Sequence, residues 1–288
     1  MKLRRFLGMC VAVFALTGCH LPATPEGKRV IRIAVLPAYS LEIMTKKYAP
    51  FMEYLSRETG LKVEYVSSLS YSDYLGVVEG SRVDFGLQNA LIFQILRKTR
   101  GAYPVVQALG PKGIPMERGV IVTHANSGIQ TIDQLKAKRI LTTSKRALAG
   151  YLAQADRLRE AKIDPERDVR IILGGRQDEV LLKLLLKGNA DAAFVREDVL
   201  EAVRGRVDLT RIRIIGYTEY FPTWCLAAFR ETDPTVVAKV QEALLKLTAE
   251  NPEHVRILEG IGAAGFIPAD PERYEKVLQV AAALRLPL

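Results

Sequence analysis

"KVEYVSSLSYSDYLGVVEGSRVDFGLQ", residues 62–88, decides the fold class. "KVEYVSS" reads as a strand, "SYSDYLGVVEG" as a helix opened by a capping-box pair, Ser70 and Asp73, and "RVDFGLQ" as a second strand. Working outward, "VIRIAVLP" is an earlier strand and "APFMEYLSRETG" a helix stopped by Gly60, while "LIFQILRKTR" and "YPVVQALG" continue the alternation downstream. This order implies an α/β fold with mainly parallel sheets and helices on both faces.

"PKGIPMERG" interrupts the pattern with two prolines and two glycines, as a crossover would. A second cycle follows: "VIVTHANSG", "TIDQLKAK", "RILTTS", a helix over residues 147–161, "VRIILGG", "QDEVLLKLLLKG" and "ADAAFV". After "RIRIIGYTEYFPTWCLAAF" the chain reads as helical from Asp233 onward, punctuated by Pro252, Pro268 and Pro271. Two βα cycles joined by crossovers predict two lobes with a ligand cleft between them. The first lobe is expected over residues 30–115 and 217–288, the second over residues 116–216.

The chain has 288 residues, 49% of them hydrophobic and 25% charged, a globular composition long enough for two modest domains. Its start, "MKLRRFLGMCVAVFALTGCH", has a basic head and an apolar run too short to span a membrane, which reads as an export signal over residues 1–18. "LTGC" is similar to the bacterial lipoprotein signal. That likeness implies cleavage after Gly18, a lipid on Cys19, a tether over residues 19–29, and an extracytoplasmic protein held to the membrane by its lipid. With Cys10 lost and Cys19 modified, Cys225 is left alone in the body, so no intramolecular disulfide can form.

The formal charge of +9 includes Lys2, Arg4 and Arg5 of the leader, so the remainder carries about +6. An excess of that size favours an anionic ligand or surface. It does not point to nucleic acid, because Lys and Arg are interleaved with Asp and Glu and form no long basic run.

"YAPFMEYLSRETG" followed by "YSDYLGVVEGSRVDFGL", then "SGIQTIDQLKAKRI" and "GGRQDEVLLKLLLKGNADAAFV", resemble in order and spacing the phosphate/phosphite/phosphonate substrate-binding proteins of ABC transporters, within the type II periplasmic-binding-protein superfamily. The resemblance implies a monomer whose two α/β lobes close over a small-molecule ligand and present it to an ABC permease. The alternative is a ligand-sensing lipoprotein of the same fold that reports to a membrane sensor kinase or another partner. No cofactor is implied.

The family typically opens the helix at residues 147–161 with a Ser-x-Ser-Gly sequence that holds phosphonate oxygens. This chain has "ALAG", Ala147 to Gly150, so Gly150 remains and both hydroxyls are absent. Unsatisfied N–H groups at a helix start still suit an anion, and Thr143 and Ser144 offer hydroxyls just upstream. Two lost hydrogen bonds to a charged group nevertheless remove about 3–6 kcal/mol. Two further departures are Gln88-Asn89-Ala90 where the family often has Gly-Pro, and Arg176-Gln177-Asp178 where it often has His-Asp.

Candidate ligand contacts are therefore Tyr39 and Ser40 after the first strand, Gln88 and Asn89 after the third, Thr143, Ser144 and Gly150 at the helix opening, and Arg176, Gln177 and Asp178 after the glycine pair. Tyr220 and Trp224, near the return crossover, are the aromatic candidates. Each also has a purely structural reading, as loop, cap or packing residue. An enzyme is not indicated. Cys225 sits in the apolar run "TWCLAAF", His124 and His254 have no metal-ligand spacing, and neither HExxH, GxSxG nor a phosphate-cradling glycine loop occurs.

Overall fold

The computed structural model describes residues 29–38, 41–80, 82–186 and 188–286. The expected leader, the lipid-accepting Cys19, Tyr39 and Ser40 lie outside the described residues.

The chain begins with β1 (Val30–Val35), α1 (Leu41–Thr59), β2 (Lys62–Val66), α2 (Tyr71–Gly80), β3 (Phe85–Gln88), α3 (Ala90–Arg100) and β4 (Tyr103–Leu109). A two-residue strand β5 (Met116–Glu117) leads to β6 (Gly119–His124), β7 (Arg139–Thr142), a π-helical turn (Leu148–Leu152) running into α4 (Ala153–Glu160), β8 (Arg170–Leu173), α5 (Gln177–Leu185), β9 (Ala192–Arg196), α6 (Glu197–Ala202) and β10 (Ile212–Tyr217). The chain returns through β11 (Phe221–Pro222) to β12 (Cys225–Ala228), α7 (Pro234–Leu245), α8 (Pro252–Ile261), β13 (Gly265–Pro268) and α9 (Lys276–Ala283).

The strands form a six-stranded sheet in the order β13-β4-β12-β3-β1-β2 and a five-stranded sheet in the order β10-β6-β9-β7-β8. These are called lobe 1 and lobe 2. Between them β5 and β11 pair antiparallel, Glu117 opposite Phe221 and Met116 opposite Pro222. The join is tightened by Thr223, whose N–H donates to the Pro115 carbonyl at 3.1 Å, and by Gln107 Nε2, which donates to the same carbonyl at 2.5 Å.

Local chemistry explains most boundaries. Residues Met44, Tyr48, Phe51, Met52 and Leu55 recur on one face of α1 and are buried, the spacing of an amphipathic helix. The helix ends where Gly60 adopts φ +71°, a left-handed conformation that glycine accepts at little cost. At α2 the Asp73 N–H donates to Ser70 Oγ at 3.1 Å, while the Asp73 carboxylate accepts from Leu69 N at 2.6 Å. The reciprocal cap thus reaches one residue further back than the Ser70 pairing predicts. Asp233 caps α7 by accepting from Thr235 N at 2.8 Å, with Pro234 in the first turn where its missing N–H costs nothing.

Two expectations require correction. The sheets are mixed rather than mainly parallel: β1 runs parallel to β2 and β3, and β7 to β8 and β9, but β12 is antiparallel to β3 and β4, β13 to β4, and β6 to both β9 and β10. Each lobe accepts strands that arrive through the short paired connections, and these enter against the direction of the βα units. The chain after Asp233 is also not wholly helical. Gly262 and Gly265 break it, and β13 closes the edge of lobe 1 beside β4, where Pro268 at the strand end is tolerated.

The lobe 1 core on one sheet face joins Ile31, Ile33 and Val35 to Phe51, Leu55, Val240 and Leu244. Lobe 2 has its own core of Val120, Val122, Leu141, Val180, Leu184 and Val195. A third cluster crosses between lobes, with Tyr74, Phe93, Cys225 and Tyr274 on one side and Tyr151, Leu152 and Phe194 on the other. Each fully buried large side chain contributes about 1.5–3 kcal/mol. Among the described residues, no helix is long and apolar enough to cross a membrane.

Candidate functional site

A cavity of about 740 Å³ lies between the lobes, a volume suited to a small organic molecule. Its two walls differ. Lobe 1 contributes Ile43, Tyr48, Leu87, Trp224 and Phe266 together with the charged Lys47 and Glu259, whereas lobe 2 contributes Arg176, Gln177, Asp178, Arg196, Glu197 and Asp198 together with the aliphatic Leu182 and Val199. Met116, Glu117, Arg118 and Tyr220 come from the connections and complete the lining.

The charged wall is built from strand and helix ends, where a parallel α/β unit opens its crevice. Arg196 at the end of β9 makes a bidentate pair with Asp198, both bonds at 2.8 Å. Arg118 donates to Glu197 at 2.8 and 2.9 Å, and its guanidinium lies 4.0 Å from the Tyr217 ring centroid and 4.8 Å from that of Tyr220. That pairing holds the Glu197 carboxyl below the usual carboxylate range and raises the Arg118 guanidinium further above its own. Arg176 lies 3.2 Å from Glu179, and Arg206 lies 3.5 Å from Asp178. One oxygen of Asp178, Oδ1, is buried without a hydrogen-bond partner among the described residues.

Glu117 occupies the connection strand between the walls. Desolvation pushes its carboxyl up to about 7; Arg196 pulls the other way, and Asp198 adds to the rise. Tyr71, at the start of α2, also faces this group, bonds to the Asn89 side chain, and is pushed up to about 12 by burial.

The structure divides the sequence candidates into two sets. Arg176, Gln177, Asp178, Tyr220 and Trp224 line the cavity. Gln88, Asn89, Thr143, Ser144 and Gly150 are not among its lining residues. Gln88 is fully buried, accepting from Tyr74 OH at 2.6 Å, with its Nε2 3.8 Å from Cys225 Sγ, so its amide satisfies core groups. Asn89 caps α3 by accepting from Ile92 N at 3.0 Å. Ser144 accepts from Arg146 N at 3.2 Å as a turn residue.

The opening at Leu148 is covered by a neighbour. A Cβ on Gly150 would meet Gln177 Nε2 at 2.6 Å and Thr143 Oγ1 at 3.3 Å, so only glycine admits the Gln177 amide here. Gln177 Oε1 in turn accepts from Arg196 N at 3.0 Å. Thr143 Oγ1 is buried without a partner among the described residues. Gln177 therefore stands between the helix opening and the cleft.

Sequence reasoning missed Glu117, Arg118 and the Arg196-Glu197-Asp198 run. The last follows a strand, and the rule that selected residues 176–178 would have selected it too. Cys225 is fully buried, with its thiol pushed up to about 12 by desolvation, which removes the nucleophilic thiolate at neutral pH. His254 accepts from Thr248 N at 3.3 Å and stacks edge-on against Tyr54, and His124 accepts from Asn126 N at 3.2 Å. Among the described residues, no group of His, Cys, Asp or Glu is placed to hold a metal ion.

Two sheets joined by a short paired connection, with a cleft lined from both, define a two-lobed small-molecule binding protein of the type II periplasmic class. The chain belongs to the family described as the periplasmic substrate-binding protein of phosphonate ABC transporters, whose family model matches residues 33–274. The phosphate-import protein PhnD of Mycolicibacterium smegmatis is 24% identical over 264 residues, covering 81% of this chain and 78% of that protein. The tetrathionate sensor histidine kinase TtrS of Salmonella typhimurium is 24% identical over 268 residues, which are 78% of this chain but only 44% of the kinase. In fold, the chain is similar to PhnD1 of Prochlorococcus marinus, solved in complex with methylphosphonate, with a TM-score of 0.80 at 17% identity over 89% of this chain and 98% of that one.

Proposed function

We propose that this protein captures a small organic solute in the inter-lobe cleft, closes over it about the β5 and β11 connection, and delivers it to an ABC permease. The observation that carries the reading is the cleft itself, lined by both lobes, beside the short β5 and β11 strand pair and its Pro115 bonds. Closure about it moves each sheet as a body and slides the apolar cluster that spans the two lobes. The family places the protein outside the cytoplasm. A lipid on Cys19 would hold it at the membrane beside its permease. Metabolic labelling with a fatty acid then marks the wild type and not Cys19→Ser; equal labelling of both refutes the anchor.

The ligand is not an ordinary phosphonate. "ALAG" lacks two side-chain hydroxyls, and the Gln177 amide covers the helix opening. Titration calorimetry with phosphate, phosphite and methylphosphonate should give millimolar affinity or none, about −4 kcal/mol or weaker. Submicromolar binding of any of them, lost in Ser144→Ala or Arg176→Ala, would overturn this.

Native mass spectrometry of freshly purified protein tests the function as a whole. A non-covalent one-to-one adduct that dissociates unchanged supports capture, whereas chemically altered ligand indicates an enzyme. Similarity to the ligand-sensing kinase motivates a second reading, in which closure is reported to a membrane sensor. Uptake of the identified solute that survives loss of this protein, with its transcriptional response abolished, would favour that reading.

A further inference from the structure

We propose that capture in this cleft is coupled to a proton: Glu117, on the strand that joins the lobes, takes one up from solvent as the lobes close and gives it back as they part. This rests on the solute-binding reading above and adds its regulation by pH.

Glu117 differs from the carboxyls around it. It sits on β5 opposite Phe221 of β11, and it lines the cavity. Glu197 is paired with Arg118, Asp198 with Arg196, Glu179 with Arg176 and Asp178 with Arg206, whereas Glu117 makes no ion pair among the described residues. Its ionised form therefore depends on the water of the cleft. Closure expels that water and favours the neutral carboxyl. The charge of the lining acts in the same direction. Among the described residues that line the cavity, carboxyls outnumber Lys and Arg side chains by one, with Lys47 of lobe 1 included. A proton on Glu117 removes that excess, and an anion entering the cleft holds the proton more firmly still.

Groups from both lobes reach this carboxyl. Arg196 and Asp198 come from lobe 2, Tyr71 from the start of α2, Tyr274 from the turn before α9, and Arg118 is its chain neighbour. On β11 the facing residues, Phe221 and Pro222, carry no charge, and Glu219 just before them is paired with Lys276. Both tyrosines are shifted upward by burial and stay neutral at physiological pH, Arg196 is matched by Asp198, and Arg118 by Glu197. Glu117 is therefore the group left to titrate, and desolvation raises it to about 7, opposed by Arg196 and reinforced by Asp198. With the lobes parted and the carboxyl in water, it returns toward the ordinary value of 4.5. The difference makes the ratio of closed to open protein about tenfold larger at pH 6 than at pH 8.

The test reads the inter-lobe distance of the free protein by double electron–electron resonance, with spin labels on Leu69→Cys and Leu186→Cys, both exposed positions. From pH 8 to pH 6 the ratio of the closed to the open distance population should rise about tenfold. Glu117→Gln, neutral throughout, should give one distribution at both pH values, at least as closed as the wild type at pH 6. Its melting curve at pH 4 should match that of the wild type, which shows the variant to be folded. A wild-type distribution that is the same at pH 6 and pH 8, or a pH response that persists in Glu117→Gln, would overturn the proposal. Binding separates this inference from the reading beneath it. The solute recovered by native mass spectrometry should bind about tenfold tighter at pH 6 than at pH 8 by calorimetry, a difference that Glu117→Gln abolishes. Equal affinity at the two values, with the lobes closing, removes only this inference. Saturation without any change in distance removes the closure reading.

Discussion

The two walls of the cleft differ in emphasis: lobe 1 is richer in rings and aliphatic side chains but also brings Lys47 and Glu259, and lobe 2 is richer in charge but also brings Leu182 and Val199. Lobe 1 presents Ile43, Tyr48, Leu87, Trp224 and Phe266, backed by the core that joins β1 to α1 and α7. Lobe 2 presents arginines and carboxylates at the ends of β9 and the start of α5, most of them paired with one another. An apolar wall provides affinity without direction, because burial depends on area. A wall of paired charges provides direction, since any ligand group that breaks a pair must replace what it removes.

The largest effect should come from the apolar wall. Trp224 packs against two core clusters as well as lining the cleft, so Trp224→Ala should cost about 3 kcal/mol in urea unfolding and remove ligand binding. A loss below about 1 kcal/mol would mean that lobe 1 is not held together through this residue.

On the charged wall, Glu197→Gln leaves Arg118 without its bidentate partner. With the Arg118 and Glu197 side chains 24% and 22% exposed, the cost should be about 1–2 kcal/mol by the same measurement. An unchanged unfolding midpoint would show that the tyrosine rings alone hold the guanidinium.

Glu117 should give a smaller effect with a distinctive sign. Its folded-state carboxyl titrates near 7, above the ordinary value of 4.5, so the folded protein binds the extra proton and is stabilised at low pH. That stabilisation falls away as pH rises from about 4.5 through 7. Glu117→Gln should therefore raise the melting temperature at pH 8 relative to wild type and leave the two alike at pH 4, below both titrations. Identical curves at both values would mean the group is not desolvated.

The smallest effect belongs to the outer face of lobe 2. Arg204 and Glu201 pair across one turn, both side chains about two-thirds exposed, and Arg204→Ala should leave the melting temperature unchanged within error.

What the sequence disclosed follows the range of the interactions. The strand, helix and strand of residues 62–88, the Gly60 stop and the Asp233-Pro234 start depend on neighbours a few residues apart, and all are readable from local pattern. The insertion of β12 between β3 and β4 depends on pairing Cys225 with Gln88 and Gln107, far away in the chain, and no periodicity encodes it. The same limit governs the site. Gln177 and Asp178 follow a strand and reach the cleft, but Gly150 is shielded from it by the Gln177 side chain arriving from another element. Glu117 stands in a turn-rich stretch with no pattern. Its raised carboxyl arises from desolvation where distant segments converge on it, opposed by Arg196 and reinforced by Asp198.

Closure of the cleft is tested most directly by a distance between the lobes. Leu69, 81% exposed after β2, and Leu186, 60% exposed after α5, accept spin labels through Leu69→Cys and Leu186→Cys, while Cys225 is fully buried and escapes labelling. Double electron–electron resonance should give a broad distance distribution for the free protein. On saturation with the solute identified by native mass spectrometry, the distribution should narrow and its mean should shift. A distribution unchanged in mean and width at saturation would contradict a protein that works by closing around its solute.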